Sequence, residues 1–379
     1  MQFKMISLAG ALALALAGTA SAQEQIVRIG SVAPTTGSDS HMGKDNENGT
    51  RLAVEDINAK GLVIDGKKIK LQLLAEDDAA DPRQATNAAT KLVDARVSAV
   101  IGHLNSGTTI PASRIYANAG IPQLSPSATN PKYTQQKFKT TFRLVANDAQ
   151  LGGTLGQYAV KTMGGKTFAI IDDRTAYGQG VADQFAKAVK AAGGQIVATQ
   201  YTNNKATDFN AILTSIKSRK PDIIFFGGMD AVGGPMIRQM RQLGINAKFM
   251  GGDGICTGSL PGLAGTALGD DQVVCAEAGG VPEERRKAVD DFRAKYKKRF
   301  GIDVVYTAAY AYDATFTVVD AMKRANSTDP AKYLPELTKS NYPGVTGTIA
   351  FDEHGDIKDG LLTLYTYRNG KRELLTVTK

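Results

Sequence analysis

Residues 98–129 read SAVIGHLNSGTTIPASRIYANAGIPQLSPSAT, and this stretch decides the fold class. Ser98–Gly102 is a short apolar run of strand length. His103–Thr109 is small and polar and opens a helical segment near Thr108–Ala119. Pro122–Ser125 is a second strand. A strand, a crossover helix and another strand make a βαβ unit, which implies parallel pairing.

The same alternation extends outward in both directions. Upstream, Ile26–Val32 and Ile69–Ala75 read as strands, and Glu47–Ala59 as a helix closed by Gly61. Asp81-Pro82-Arg83-Gln84 carries helix-start signals, with Asp at the cap and Pro in the first turn. Downstream the pattern restarts near Phe142–Asn147. Helices are expected at Ala149–Met163, Gly180–Ala192, Phe209–Arg219 and Val232–Leu243. Strands are expected at Thr167–Ile171, Ile196–Tyr201, Asp222–Phe226, Phe249–Gly251 and Gln272–Cys275. The last third offers helices at Pro282–Phe300, Ala308–Arg324 and Pro330–Ser340. Strands come next near Thr348–Phe351, Leu361–Tyr367 and Glu373–Thr378. This tail is too small and too mixed for a third domain and is expected to complete the first two. The fold class is therefore α/β, two lobes of similar size with a cleft between them, where ligands prefer to bind.

Composition agrees with a globular chain. Of 379 residues, 42% are hydrophobic and 22% charged, and the length suggests about two or three domains. A net charge of +8 invites a nucleic-acid reading, but Trp is absent and aromatics are only 7%, which removes stacking platforms. The one dense charge cluster, Glu283–Arg299, mixes both signs at helical spacing and reads as a solvated helix face. No nucleic-acid partner is expected.

Met1–Ala22 (MQFKMISLAGALALALAGTASA) has one basic residue, an apolar run and a small-residue Ala20-Ser21-Ala22 end. That is a secretory signal peptide, and the run is too short to span a bilayer. The mature chain is expected to begin at Gln23, soluble and periplasmic. Cys256 and Cys275 are then expected to bridge, contributing roughly 3 kcal/mol. A metal site or a nucleophile is the alternative, but neither Cys sits in a C-x-x-C or beside a His.

Enzyme motifs are missing. There is no G-x-S-x-G, and no G-x-G-x-x-G follows a strand. Gly61–Lys68 resembles a phosphate loop but has Lys68 where Ser or Thr must stand, and reads as a turn. His41, His103 and His354 are far apart. Asp352–Asp356 (DEHGD) lacks calcium-ligand spacing and reads as a turn. No catalytic residue, metal or cofactor is expected.

The segments just after the strands are more informative, because ligands bind at the carboxyl ends of parallel strands. Ala33–Gly43, His103–Thr109 and Ser125–Thr129 are rich in hydroxyls and lie at helix starts, which favours an anion. In the second half, Asp172–Gly178, Gly227–Asp230 and Gly251–Gly254 occupy the same positions. Asp253 stands between glycines, open to an ammonium. Hydroxyls on one side and a carboxylate on the other suit a zwitterion.

Seven stretches, in this order, carry a resemblance over nearly the whole mature chain. They are Ala53–Gly61 (AVEDINAKG), Asp77–Gln84 (DDAADPRQ), Val100–Ser106 (VIGHLNS), Pro126–Thr129 (PSAT), Tyr177–Gly180 (YGQG), Phe249–Gly254 (FMGGDG) and Phe351–Gly355 (FDEHG). The chain resembles the periplasmic substrate-binding proteins of branched-chain amino acid ABC transporters. The resemblance implies two Rossmann-like lobes, the type I periplasmic binding protein fold, joined by a hinge of three crossovers. Lobe one would hold residues 23–147 and 277–350, and lobe two 148–276 and 351–379. Ser106 and Thr129 would bind the α-carboxylate of a small amino acid. The Ser127 carbonyl, the Thr129 hydroxyl and Asp253 would bind its ammonium. Tyr177 would close over it, Met42 and Met229 would flank it, and Tyr306 would line the pocket too. Asp253 stands where the family often has Glu, and Met42 and Met229 where it often has aromatics. Cys256–Cys275 is not the family's first-lobe pair, one of whose positions is Asn105. The implied partners are the membrane permease subunits of an ABC importer, with the chain itself a monomer. An amide, urea or aromatic carboxylate ligand on the same scaffold is the alternative.

Overall fold

Apolar runs this short, flanked by helices, bury both faces of a strand only if helices cover the sheet on both sides. The computed structural model describes residues 24–378. The expected signal segment Met1–Ala22 lies outside the described residues. The chain begins β1 (Gln25–Ala33), α1 (Ser40–Lys60), β2 (Leu62–Ile64), β3 (Lys67–Asp77), α2 (Pro82–Asp94), β4 (Ala99–Gly102), α3 (Ser106–Asn118), β5 (Gln123–Ser125), α4 (Lys132–Gln135) and β6 (Thr141–Arg143). It continues α5 (Asp148–Lys161), β7 (Thr167–Asp172), α6 (Ala176–Ala191), β8 (Gln195–Tyr201), α7 (Asn210–Arg219), β9 (Ile223–Gly227), α8 (Asp230–Gln242), β10 (Lys248–Gly251), α9 (Leu260–Ala264) and β11 (Val273–Glu277). The last part is α10 (Arg286–Phe300), α11 (Ala308–Arg324), α12 (Pro330–Leu337), β12 (Tyr342–Pro343), β13 (Thr348–Ile349), β14 (Leu362–Arg368) and β15 (Lys371–Thr378).

Two sheets result. One has the order β2-β3-β1-β4-β5-β6, the other β15-β14-β11-β10-β9-β7-β8. Both are parallel except at one edge, where β2 and the β14–β15 pair run antiparallel to their neighbours. All five residues of β9 (IIFFG) are buried. One face of the second sheet packs Phe168, Phe225 and Met250 on Leu155 and Phe185. The other packs Ile224, Phe226 and Phe249 on Met236 and Met240. In the first sheet Ile29, Leu71 and Ile101 meet Val318 and Met322 of α11. The chain passes between the sheets three times: after β6, after β11 and before β14. Among the described residues, no helix is long and apolar enough to cross a membrane. The charged helix α10 is solvated as its mixed signs imply, with exposed pairs such as Lys287–Asp291 at 2.6 Å and Arg299–Glu55 at 2.8 Å.

Three elements differ from the sequence reading. The first helix starts at Ser40 rather than Glu47, so His41 and Met42 are helical and not part of a loop. Its early turns bury Asp45, Asn46, Gly49 and Thr50, a polar inner face that hides it from hydrophobic periodicity. A Cβ at Gly49 would stand 2.1 Å from the carbonyl oxygen of Ala308, so glycine here serves helix packing. Gly61–Lys68 is not only a turn. It holds β2 and a two-residue hairpin at Asp65-Gly66, both at positive φ (52° and 69°). Finally, α6 begins at Ala176, four residues before the expected Gly180, because the Thr175 hydroxyl caps it by accepting from Gly178 N–H at 2.9 Å. Tyr177 is thereby on a helix.

Cys256 and Cys275 are joined, with Cα atoms 5.3 Å apart and a sequence separation of 19. The bridge ties the Asp253–Ile255 turn to β11. Cys256→Ala/Cys275→Ala is expected to lose roughly 3 kcal/mol of unfolding free energy in urea. An unchanged midpoint would show that the bridge constrains nothing.

Candidate functional site

Because parallel strands all point the same way, their carboxyl ends bring both sets of connecting segments to one cleft. From the first sheet come Met42 after β1, Leu104, Asn105 and Ser106 after β4, and Ser127 after β5. From the second come Tyr177 after β7, Met229 after β9, and Asp253 and Gly254 after β10. With Tyr306 and Thr307 these residues line one narrow cavity between the lobes. The cavity is small, about 20 Å³. Seven of the eight ligand-site residues expected from sequence are in this wall. Thr129 is not; its hydroxyl is buried without a well-formed hydrogen bond, near the Asp148 carboxyl.

A wider cavity of about 470 Å³ lies at the hinge against Ala146, Gly279 and Lys358. Chemistry separates the two. None of the hinge cavity's lining side chains leaves a buried polar atom unpaired. The interlobe cavity has Asn105 Oδ1, Asp253 Oδ1 and Thr307 Oγ1 in that state. Each such atom costs about 1–3 kcal/mol, a cost that a ligand can offset.

The Asp253 carboxylate is buried, yet only half of it is held by protein. Tyr306 donates its hydroxyl to Oδ2 at 3.3 Å, and itself accepts from Ala278 N–H at 3.2 Å. The Tyr177 hydroxyl accepts from Gly254 N–H at 2.9 Å and stands beside the Asp253 carboxyl, where it favours the ionised form. Burial pushes the Asp253 carboxyl up to about 6, against the lowering effect of these tyrosines. The Tyr306 backbone is in turn pinned by Asp45 of α1. That carboxylate accepts from Val305, Tyr306 and Ala308 N–H at 3.0, 3.0 and 2.9 Å.

Opposite stand the hydroxyl groups. Ser106 opens α3, and its Oγ accepts from Asn130 N–H at 3.2 Å. Ser127 donates its hydroxyl to the Leu104 carbonyl at 2.8 Å, which leaves its own backbone to define the wall. Met42, Leu104 and Met229 pack together with Ala33 and Val305 as an apolar end. Sequence reasoning missed Leu104, Asn105, Gly254 and Thr307 as wall residues. Asn105 Nδ2 donates to Asp39 Oδ2 at 3.1 Å, so its Oδ1 is directed away from that bond. It missed Asp148 too, whose carboxyl has no well-formed hydrogen bond and is raised to about 8 by burial. It also missed two direct interlobe bonds. His41 Nε2 meets Asp230 Oδ2 at 3.0 Å, and Asn130 Nδ2 donates to the Ala176 carbonyl at 2.6 Å. The Asp230 bond raises the His41 pKa. Among the described residues no group of His, Cys, Asp and Glu could hold a metal ion.

The chain is similar to known proteins over most of its length. The family model described as periplasmic binding protein matches residues 26–371. The Leu/Ile/Val-binding protein homolog 1 of Brucella abortus is 35% identical over 363 residues, 95% of each chain. The leucine-, isoleucine-, valine-, threonine- and alanine-binding protein of Pseudomonas aeruginosa is 31% identical over 94% of each. Among solved structures, the branched-chain amino acid transporter substrate-binding protein of Streptococcus pneumoniae, in complex with isoleucine, superposes with a TM-score of 0.82. It is 28% identical and covers 93% of this chain and 99% of its own.

An acid raised by burial stabilises the fold only while protonated. Its contribution is present below about pH 4 and is lost as pH rises through about 6. Asp253→Asn is therefore expected to stabilise the unliganded chain at pH 7.5, by about 1–3 kcal/mol, with the gain vanishing near pH 4. Urea unfolding at the two pH values checks this; equal gains at both would contradict it.

Proposed function

This chain belongs to the periplasmic binding protein family, and we propose that it captures a branched-chain or closely related amino acid outside the cytoplasm and delivers it unaltered to an ABC-type permease. The half-paired Asp253 carboxylate carries this reading. A buried acid with one oxygen free wants a cation, and the wall opposite it offers the Ser106 hydroxyl and the start of α3 to an anion. Met42, Leu104 and Met229 then receive an aliphatic side chain.

In this account Ser106 and the start of α3 take the α-carboxylate, and Asp253 takes the ammonium together with the Ser127 carbonyl; Thr129, outside the cavity wall, is given no ligand contact. Tyr177 and Tyr306 hold the Asp253 carboxylate in place. The names of the relatives support the amino acid class. The free carboxylate argues against an amide, urea or aromatic carboxylate, because none of these brings a cation to it. Since each lobe contributes one pole, the ligand binds the closed form better than the open one and drives closure.

Calorimetry with leucine, isoleucine, leucinamide and 4-methylpentanoate tests the claim. Leucine and isoleucine are expected to bind. The two analogues lack one charged end and are expected to bind at least about a hundredfold more weakly, as are Asp253→Ala and Ser106→Ala with leucine. Equal affinity for leucinamide or 4-methylpentanoate would overturn the zwitterion reading. Binding of an ammonium needs ionised Asp253, so below about pH 6 each bound ligand displaces a proton. Leucine affinity should fall about tenfold per pH unit there. A flat profile between pH 6 and 4.5 would show that Asp253 does not pair the ligand.

A further inference from the structure

Arg143 ends β6 and is fully buried, an environment that tolerates an arginine only when it is paired. A guanidinium has five N–H groups in a fixed plane. All five are used here. Nε donates to Asp356 Oδ1 at 2.9 Å, and Nη2 donates to the same oxygen at 2.7 Å and to Thr134 Oγ1 at 2.8 Å. Nη1 donates to the carbonyls of Ala128 and Asn130 at 3.0 and 2.9 Å. Those two carbonyls flank Thr129 and come just after Ser127. The loop that presents both residues is thus gripped from behind by Arg143, while Ser106 Oγ holds it from the cleft side through Asn130 N–H.

Asp356 is the last residue of the D-E-H-G-D turn, which no ligand role explains. The turn lies on the third pass between the lobes. Asp352 Oδ1 accepts from His354 and Asp356 N–H, both at 2.9 Å, and so shapes it. Gly355 accepts from Arg143 N–H at 2.8 Å, and a Cβ there would stand 2.0 Å from the Thr141 carbonyl oxygen, so only glycine fits. Asp356 Oδ2 accepts from Asn147 Nδ2 at 3.3 Å. Asn147 in turn caps α5, the first helix after the first pass. One partly buried ion pair therefore joins the Ser127–Asn130 loop to two of the three interlobe passes.

We infer that Arg143, set by Asp356, is a positioning residue that holds the Ser127–Asn130 loop in its ligand-binding geometry and links that loop to the hinge. The inference rests on the proposed amino acid site. Ordering the loop in advance means that its conformational entropy is not lost on binding. Lysine cannot replace Arg143, because a single ammonium cannot reach the carboxylate and two carbonyls in one plane.

The test uses Asp356→Asn and Arg143→Lys, with Tyr333→Phe as a destabilised control. Tyr333 is buried and donates to the Ser98 carbonyl, away from this network. Amide exchange is followed first in the unliganded proteins. Residues 127–130 are expected to exchange at least tenfold faster in Asp356→Asn and Arg143→Lys, with Ile223–Gly227 unchanged, and to be unaffected in the control. Leucine dissociation, measured on folded protein by tyrosine fluorescence, is expected to quicken at least tenfold in the two variants and stay within twofold in the control. Wild-type exchange at 127–130 in both variants, or equal loosening in the control, would overturn the inference. Failure of wild-type protein to bind leucine would count against the proposed function alone, since the exchange measurement needs no ligand.

Discussion

A carboxylate enclosed by protein with half of its acceptor capacity unused is the constraint around which the cleft is organised. Asp253 belongs to the second lobe, on a turn fixed by the disulfide to β11. One of the hydroxyls that steadies it, from Tyr306, is fixed by backbone bonds to Asp45 of the first lobe. The other, from Tyr177, stands on α6 of the second. The carboxylate is therefore fully surrounded only when the lobes are together. A cation that pairs its free oxygen relieves the desolvation that burial imposes. Under the proposed function, ligand capture and lobe closure share this one source of free energy.

The sheets were legible because both faces of each central strand are covered. Runs such as IIFFG and FAIID need no partner in view to be read as strands. Their order also put the right connecting segments at the cleft, since parallel strands carry their carboxyl ends to one edge. What could not be read was polar burial. The early turns of α1 pack Asp45, Asn46 and Thr50 inward, so no apolar stripe announces them. Asn105, Thr307 and Asp148 matter through being buried and unpaired, a property of three-dimensional surroundings that leaves no spacing in the chain. His41 was visible as one of three histidines, but its bond to Asp230 spans 189 residues. Arg143 looks like any strand-end basic residue until its five hydrogen bonds are seen together.

Apart from the Tyr306–Asp253 bond, two direct polar bonds join the lobes beside the cleft. The His41–Asp230 contact is partly exposed on the histidine side, which limits its strength. The Asn130–Ala176 bond is neutral. Neither is large enough to hold the lobes shut by itself, given the modest net value of a hydrogen bond. Such an arrangement leaves the closed form dependent on what occupies the cleft. It also places the ties close to the ligand-facing loops, Asn130 beside Thr129 and Ala176 beside Tyr177, so that seating those loops and joining the lobes are the same movement.

The two ends of the cavity impose unequal demands. At the polar end, an unmatched charge leaves a buried acid or helix start without a partner, and discrimination of this kind is steep. At the apolar end, Met42 and Met229 are unbranched and adaptable, and Leu104 adds no polar handle. A missing or extra methylene against such a surface changes binding by only about 1–3 kcal/mol. Under the proposed function the site is therefore strict about the amino acid backbone and lenient about the aliphatic side chain. Under that function, charge is recognised by fixed groups and shape by flexible ones.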